Sequence, residues 1–378
     1  MMLSPLRNHA VVLACFSCLA LASQCQRDVV LSSEETKIKV ETVADGIAVP
    51  FGMAFLPDGR LLVSDRGARL LYDVDVHSGE KKLVKGLPAM EPDGDEGLLD
   101  VLPHPDFANN HLLFLAFASR EAKGSTLAVG RFLLTGDSLS QEKRIFTAVP
   151  YFERYNFFGS RLLLKNGDLY ITTGVSKKYQ DSCQRLTNHQ GKIMRVREDG
   201  SIPADNPYVK VAGALPEIYA IGSRNAQGMT INPFTNEIWF NEHGPKGGDE
   251  VNILRPGANY GWPVISFGVD YDGTPVGEGK SQKEGMEQPV YQYTPSIAPS
   301  GMEFYTGDAF PMWKGNLFIG GMVLKHLNRL VIKDGKVVHE ERLLKELNSR
   351  VRNVRQGPDG FLYVGLDGGR IIRLRPAF

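Results

Sequence analysis

The sequence is short of everything that marks a disulfide scaffold, a membrane-spanning chain or a nucleic-acid binder. It has 4 cysteines in 378 residues, and Cys15 and Cys18 lie in an apolar N-terminal run. The remaining two, Cys25 and Cys183, are too few for a disulfide framework and too widely spaced for a metal motif. A pairing between them stays open in an oxidising compartment. Net charge is missing as well: 43 basic side chains balance 43 acidic ones, which removes any general attraction to nucleic acid or an anionic membrane surface. Long hydrophobic runs are also lacking. The one candidate, residues 10–22, is too short to span a bilayer, so no transmembrane segment is expected.

That short run has the form of an export signal. Arg7 and His9 supply a basic leading region, and Ala20-Leu21-Ala22 fits the small-x-small cleavage pattern. We expect a signal peptide over 1–22, a linker over 23–35 and one domain over 36–378, in a periplasmic or secreted protein. Lipid attachment at Cys25 is the less favoured variant, because Gln24 stands where a small residue is required.

Glycine and proline, at 40 and 22 residues, are plentiful and punctuate the chain regularly. A tight turn followed by an apolar strand occurs six times. Pro57-Asp58-Gly59 precedes 60–65, Asn109-Asn110 precedes 111–117, and Asn166-Gly167 precedes 168–174. Thr235-Asn236 precedes 237–241, Lys314-Gly315 precedes 316–320, and Pro358-Asp359-Gly360 precedes 361–366. Asn-Gly and Asp-Gly accept the positive φ angles of hairpin turns. An apolar strand also stands before each turn. Five of these open with glycine, at Gly52, Gly97, Gly159, Gly228 and Gly301, and the sixth is 351–354. The hairpins recur every 45 to 79 residues, close to the length of a propeller blade.

Helical patterns between the hairpins are scarce, the best being a short stretch at 340–348. A parallel α/β fold would need a crossover helix at each step. The sequence therefore predicts an all-β, six-bladed β-propeller, whose N-terminal strand near 36–43 joins the last blade beside 369–374. A pair of β-sandwiches is the alternative, and it fits the repeat period less well.

Three clusters carry the chemistry. The stretch Asn241-Glu242-His243-Gly244-Pro245-Lys246-Gly247-Gly248-Asp249-Glu250 joins a strand to a glycine-rich loop with three carboxylates. Such loops expose the carbonyls and carboxylates that calcium takes as ligands, although the same residues also suit a plain charged turn. Ile221-Gly222-Ser223-Arg224-Asn225 leads into an inner strand. In Arg350-Val351-Arg352, strand alternation puts both guanidiniums on one face, unless the segment is simply a solvated edge. Together the clusters describe a channel mouth suited to a polyanion and a divalent cation.

These motifs resemble the glucose/sorbosone dehydrogenase family, in particular the soluble aldose sugar dehydrogenases that use pyrroloquinoline quinone (PQQ). The resemblance runs from about 49 to 376 and rests on GLLDVLPHPDF, GKIMRVREDGSIPADNP, EIYAIGSRNAQGM, NEHGPKGGDEVNILRPGANYGWPV, PSIAPSGMEFYTGDAFP and RVRNVRQGPDG. It implies a six-bladed propeller, PQQ and Ca²⁺ as cofactors, a sugar or other polyol as substrate, and a quinone or similar electron acceptor. Residue by residue it implies that Arg224, Asn225, Arg350 and Arg352 meet the cofactor. Gly244 and Pro245 hold the cofactor's calcium, and Glu250 and Tyr260 belong to a second, structural calcium site.

Three positions depart from the family pattern. The general-base histidine is replaced by Phe157, in Phe157-Phe158-Gly159-Ser160-Arg161-Leu162. A cofactor-facing glutamine becomes Asp95, and a cofactor-contacting lysine becomes Val323, with Lys325 two residues on and able to reach the same face in its place. His243 is the nearest substitute base by motif, and Glu153 is a more remote one. His104 and His189 sit in turn motifs and read as structural. Two functions follow: an exported sugar dehydrogenase oxidising an aldose at C1, or a calcium-binding propeller that has lost catalysis and serves as a binding protein. A propeller hydrolase lacks a recognisable nucleophile.

Overall fold

The structure is a computed structural model, and it describes residues 29–91, 97–153 and 157–377. The expected signal peptide, Cys25 and Asp95 lie outside the described residues. Those residues form six antiparallel sheets, five of four strands and one of five, arranged as the blades of a propeller. We number the blades 1 to 6 along the chain.

The strand that precedes each sequence turn is the innermost of its blade: Pro50–Phe55, Leu98–Pro103, Leu162–Lys165, Ala226–Ile231, Pro299–Phe304 and Val351–Gln356. Each inner strand touches the next around the ring, and the sixth returns to the first. The glycines that mark these strands are there because backbones meet at the axis. A Cβ on Gly52 would lie 2.8 Å from the Val101 backbone nitrogen, and one on Gly301 would lie 2.3 Å from Asn353 Oδ1. The hairpin turns carry positive φ where the sequence supplies it, as at Asn166 (54°) and Gly167 (79°).

Second strands such as Leu61–Asp65, Asp168–Thr172 and Leu362–Leu366 are buried along their whole length. Neighbouring blades cover both of their faces, which explains why they read as continuous apolar runs instead of alternating ones. The core is accordingly divided into interblade clusters. One packs Met302, Phe304 and Leu317 of blade 5 against Trp239 and Val251 of blade 4.

Closure is achieved by the N-terminal segment. Lys37–Ala44 pairs with Arg370–Pro376, placing Val40 opposite Leu374, so the first and last described strands share blade 6. Ile38 and Val40 point inward while Lys37 and Lys39 do not, the period-2 pattern of a half-buried strand. Residues 29–32, read from the sequence as linker, form a further strand, Val29–Ser32, paired to Lys37–Ala44. The helical reading of 340–348 is also corrected. Lys336–Leu343 is the outer strand of blade 5, and only Lys345–Leu347 forms a turn of 3₁₀ helix. Cross-strand pairing along Val331 to His339 and Leu327 to Leu343 overrides the weak local helical preference.

Candidate active site

The site is built on a polar axis. Arg161 is 1% exposed and reaches blades on either side of its own. Its guanidinium donates to the Phe51 carbonyl (2.7 Å, blade 1), to Asp100 Oδ1 (3.3 Å, blade 2) and to the Gln227 carbonyl (2.5 Å, blade 4). It also lies over the Phe51 ring, 4.2 Å from the centroid. Burial pulls its pKa down to about 10, with Asp100 opposing the shift, so the group stays charged at neutral pH. Arg161 is thus a structural pin at the axis.

Above it, Arg224 and Asn225 are strapped from two sides. The Arg224 carbonyl accepts from Val175 N–H (3.0 Å), and the Asn225 carbonyl accepts from His243 N–H (3.2 Å). Glu242 accepts from the Arg224 amide and from Ser223 Oγ (3.0 Å). Held this way, the Arg224 guanidinium donates to the Gly244 carbonyl (2.8 Å) and lies 5.2 Å from the Trp262 ring centroid. Asp249 fixes the loop that carries Gly244. Its Oδ1 accepts from Gly244 N–H (2.8 Å), and its Oδ2 accepts from the Ile297 (2.7 Å) and Ala298 (2.8 Å) amides.

These groups open onto a cavity of about 640 Å³, within the usual range for a small-molecule site. Arg224, His243, Gly244 and Pro245 form one side. Val269, Tyr271, Val323 and Leu324 form the mouth, and they are 39%, 66%, 56% and 37% exposed. Large apolar side chains left in water around one cavity are the mark of a binding site. The cavity offers a cation against apolar walls, the combination that suits a planar organic anion.

His243 borders this cavity. Its Nε2 lies 2.8 Å from the Pro299 carbonyl, which can only accept, so Nε2 carries the proton and Nδ1 keeps a lone pair. Burial pushes its pKa down to about 4, opposed by Asp249 and reinforced by Arg224, so the ring is neutral at physiological pH.

Behind the Gly244 loop is a second, much smaller cavity, with room of about 10 Å³, close to that of a single water-sized sphere. Glu242, Glu250 and Tyr260 line it together with Gly244 and Arg224. Glu242 and Glu250 face each other across paired strands. Burial, and at Glu250 the charge of Glu242, pushes both carboxyls above the ordinary range. Two facing carboxylates in a space of this size fit a hard cation. The Tyr260 hydroxyl is otherwise engaged, donating to the Ile253 carbonyl (2.7 Å) and accepting from Arg255 N–H (2.9 Å), so only its backbone remains to serve a metal.

The remaining sequence-derived residues divide. Val323 stands on the cavity, whereas Lys325 donates to Asn348 Oδ1 (3.0 Å) and is not among the lining residues. Arg352 is buried and clamped by Asp367, with Nε 2.9 Å from Oδ1, and its charge is felt at His243. Arg350 stands before the strand and is exposed. A bulge between Val351 and Asn353 interrupts the alternation from which a shared face was expected. The Phe157 carbonyl abuts Gly174, which is bridged to Asn225. Glu153 is exposed and away from the cavity lining. His189 pairs with Glu217 (2.8 Å) and His104 with Glu198 (2.9 Å), as structural residues do. Cys183 is a buried free thiol. Sequence reading missed the role of Glu242: its place opposite Glu250 depends on strand register.

Comparison with known proteins agrees with this architecture. The glucose/sorbosone dehydrogenase family model matches residues 47–373. The aldose sugar dehydrogenase YliI of Escherichia coli is 38% identical over 348 residues, covering 90% of this chain and 93% of the relative. The crystal structure of the soluble aldose sugar dehydrogenase of Escherichia coli in its apo-form superposes with a TM-score of 0.86 at 37% identity, covering 90% of this chain and 100% of that one. The PQQ-bound form of the aldose sugar dehydrogenase of Streptomyces coelicolor gives 0.73 at 28% identity, over 90% and 98% of the two chains. With its propeller, its motifs and nearly its whole length matched, this chain belongs to the glucose/sorbosone dehydrogenase family.

Proposed function

We propose that the protein is an exported, PQQ- and calcium-dependent dehydrogenase acting on an aldose or similar polyol, with proton removal as its weak step. The observation that carries this reading is the cavity in which Arg224 and the Gly244–Pro245 loop meet under apolar walls. A planar tricarboxylate needs cationic donors to offset its desolvation and flat apolar surface for its rings. When bound, PQQ would supply the hydride-accepting electrophile and calcium would polarise it.

The chain's own residues then have separate tasks. Arg224 and Asn225 bind and orient the cofactor, while Val323, Leu324, Val269 and Tyr271 exclude water. Gly244 and Pro245 would hold the calcium, and the Gly244 carbonyl accepts from the Arg224 guanidinium beside it. Phe157 cannot take a proton. His243 is the imidazole on the cavity, neutral and with Nδ1 unprotonated, but a group titrating near 4 is a weak base at pH 7.

The competing reading, a binding propeller without turnover, is favoured by the same Phe157 and by Val323. Steady-state oxidation of aldoses with an artificial acceptor separates the two. With PQQ and Ca²⁺ supplied, the enzyme reading expects slow but measurable turnover, raised by Phe157→His by ~10²-fold, the scale of a positioned base. No turnover in either protein, with PQQ bound in both, would leave the binding reading standing.

A further inference from the structure

Two cavities of different size share a wall. Arg224, His243 and Gly244 line both the large front cavity and the ion-sized rear one. Glu242, which lines the rear cavity next to that wall, has contacts of two kinds. Its side chain accepts from the Arg224 amide and from Ser223 Oγ, fixing the turn that aims the Arg224 guanidinium into the front cavity. Its backbone is paired with Glu250, and Asn252 Nδ2 bridges the two carboxylates at 3.1 Å to Glu250 and 3.5 Å to Glu242. One buried side chain of the rear site therefore also holds the turn that carries Arg224 to the front one.

We propose that Glu242 is a positioning residue that couples them: a divalent cation between Glu242 and Glu250 stiffens the Ser223–Arg224 turn and so tightens anion binding in front. The proposal rests on the reading of the rear cavity as a calcium site. Asn252 Nδ2 is the one side-chain link between the two carboxyls among the described residues, and its contact with Glu242 is long, so a cation ligating both would hold Glu242 more tightly than the amide does. Among the described residues the Glu250 side chain hydrogen-bonds only with Asn252, whereas Glu242 holds the turn, so any displacement of Glu242 is transmitted to Arg224. A cation ligated by both carboxyls locks them in place. Coupling of this kind is reciprocal, so an anion held by Arg224 also raises the affinity of the rear site for its cation.

Amide hydrogen exchange over 220–228 tests this with calcium chloride alone, on the full-length chain treated first with chelator. Calorimetry reports in parallel whether Ca²⁺ binds. In the wild type, Ca²⁺ should slow exchange at Arg224 about tenfold or more. Glu250→Gln should abolish that response while leaving the calcium-free exchange pattern intact. Glu242→Gln, which keeps an acceptor oxygen for the Arg224 amide, should also lose the response and retain the wild-type melting temperature in chelator. PQQ affinity, read from tryptophan quenching, should gain about tenfold more from Ca²⁺ in the wild type than in Glu250→Gln. Ca²⁺ binding without any change at Arg224 overturns the coupling, and so does the absence of Ca²⁺ binding. Slowed exchange with no PQQ binding leaves the coupling standing and sinks the cofactor reading instead.

Discussion

Asp100→Asn removes the only carboxylate that the Arg161 guanidinium touches among the described residues. Arg161 is 1% exposed, and Asp100 Oδ2 also accepts from the Leu162 amide (3.0 Å), so the change leaves a buried charge without its counter-ion and weakens an inner-strand contact. Breaking one partner of a buried pair costs about 3–5 kcal/mol. At about 2.1 cal/mol/K per residue, roughly 340 folded residues have an unfolding entropy of about 0.7 kcal/mol/K. The expected fall in melting temperature is therefore about 4–7 °C, measured by calorimetry at pH 7 in saturating Ca²⁺. The double variant Arg161→Met with Asp100→Asn should recover part of the loss, because both charges are then gone. The pinning role of Arg161 is refuted if Asp100→Asn melts within 1 °C of the wild type.

Chelation should lower the melting temperature of the wild type but not of Glu250→Gln. A native-state ligand at a hundredfold excess over its Kd contributes ~2.7 kcal/mol, and an equal response of both proteins would place the calcium elsewhere. Val323→Lys puts an ammonium on the cavity of Arg224, and its PQQ Kd should tighten about tenfold, the scale of a charge-assisted hydrogen bond. Unchanged affinity in a titration would mean that Val323 does not face the ligand. His326 is fully buried against Gly321, and burial pushes its pKa down to about 4 although the Leu324 backbone offsets part of the shift. A base with a depressed folded pKa contributes stability that is present above about pH 6.5 and lost as pH falls through 4. His326→Phe should accordingly flatten the melting profile between those values, and parallel profiles would contradict the assignment.

The architecture was legible because each blade repeats a turn whose φ angles only a few residues tolerate. Asn166-Gly167 and Asp359-Gly360 announce hairpins locally, and the closing strand around Val40 is readable from its alternation. The site was less legible, for two physical reasons. Its parts come from long insertions, such as the loop bearing Tyr260, Trp262 and Tyr271, whose path is set by contacts distant in sequence. Register also decides which side chains meet. A bulge separates Arg350 from Arg352, and ladder pairing brings Glu242 opposite Glu250. A lysine two residues from Val323 looked able to replace it, yet a turn with Lys325 at φ 51° directs that side chain to Asn348.

Titration of the calcium-loaded protein with PQQ, followed by the cofactor's absorbance and by melting temperature, tests the central claim most directly. The account predicts a saturable spectral change at one equivalent, a rise in melting temperature with PQQ concentration, and loss of both in Arg224→Met. An unchanged spectrum and a flat melting temperature at high PQQ would contradict it.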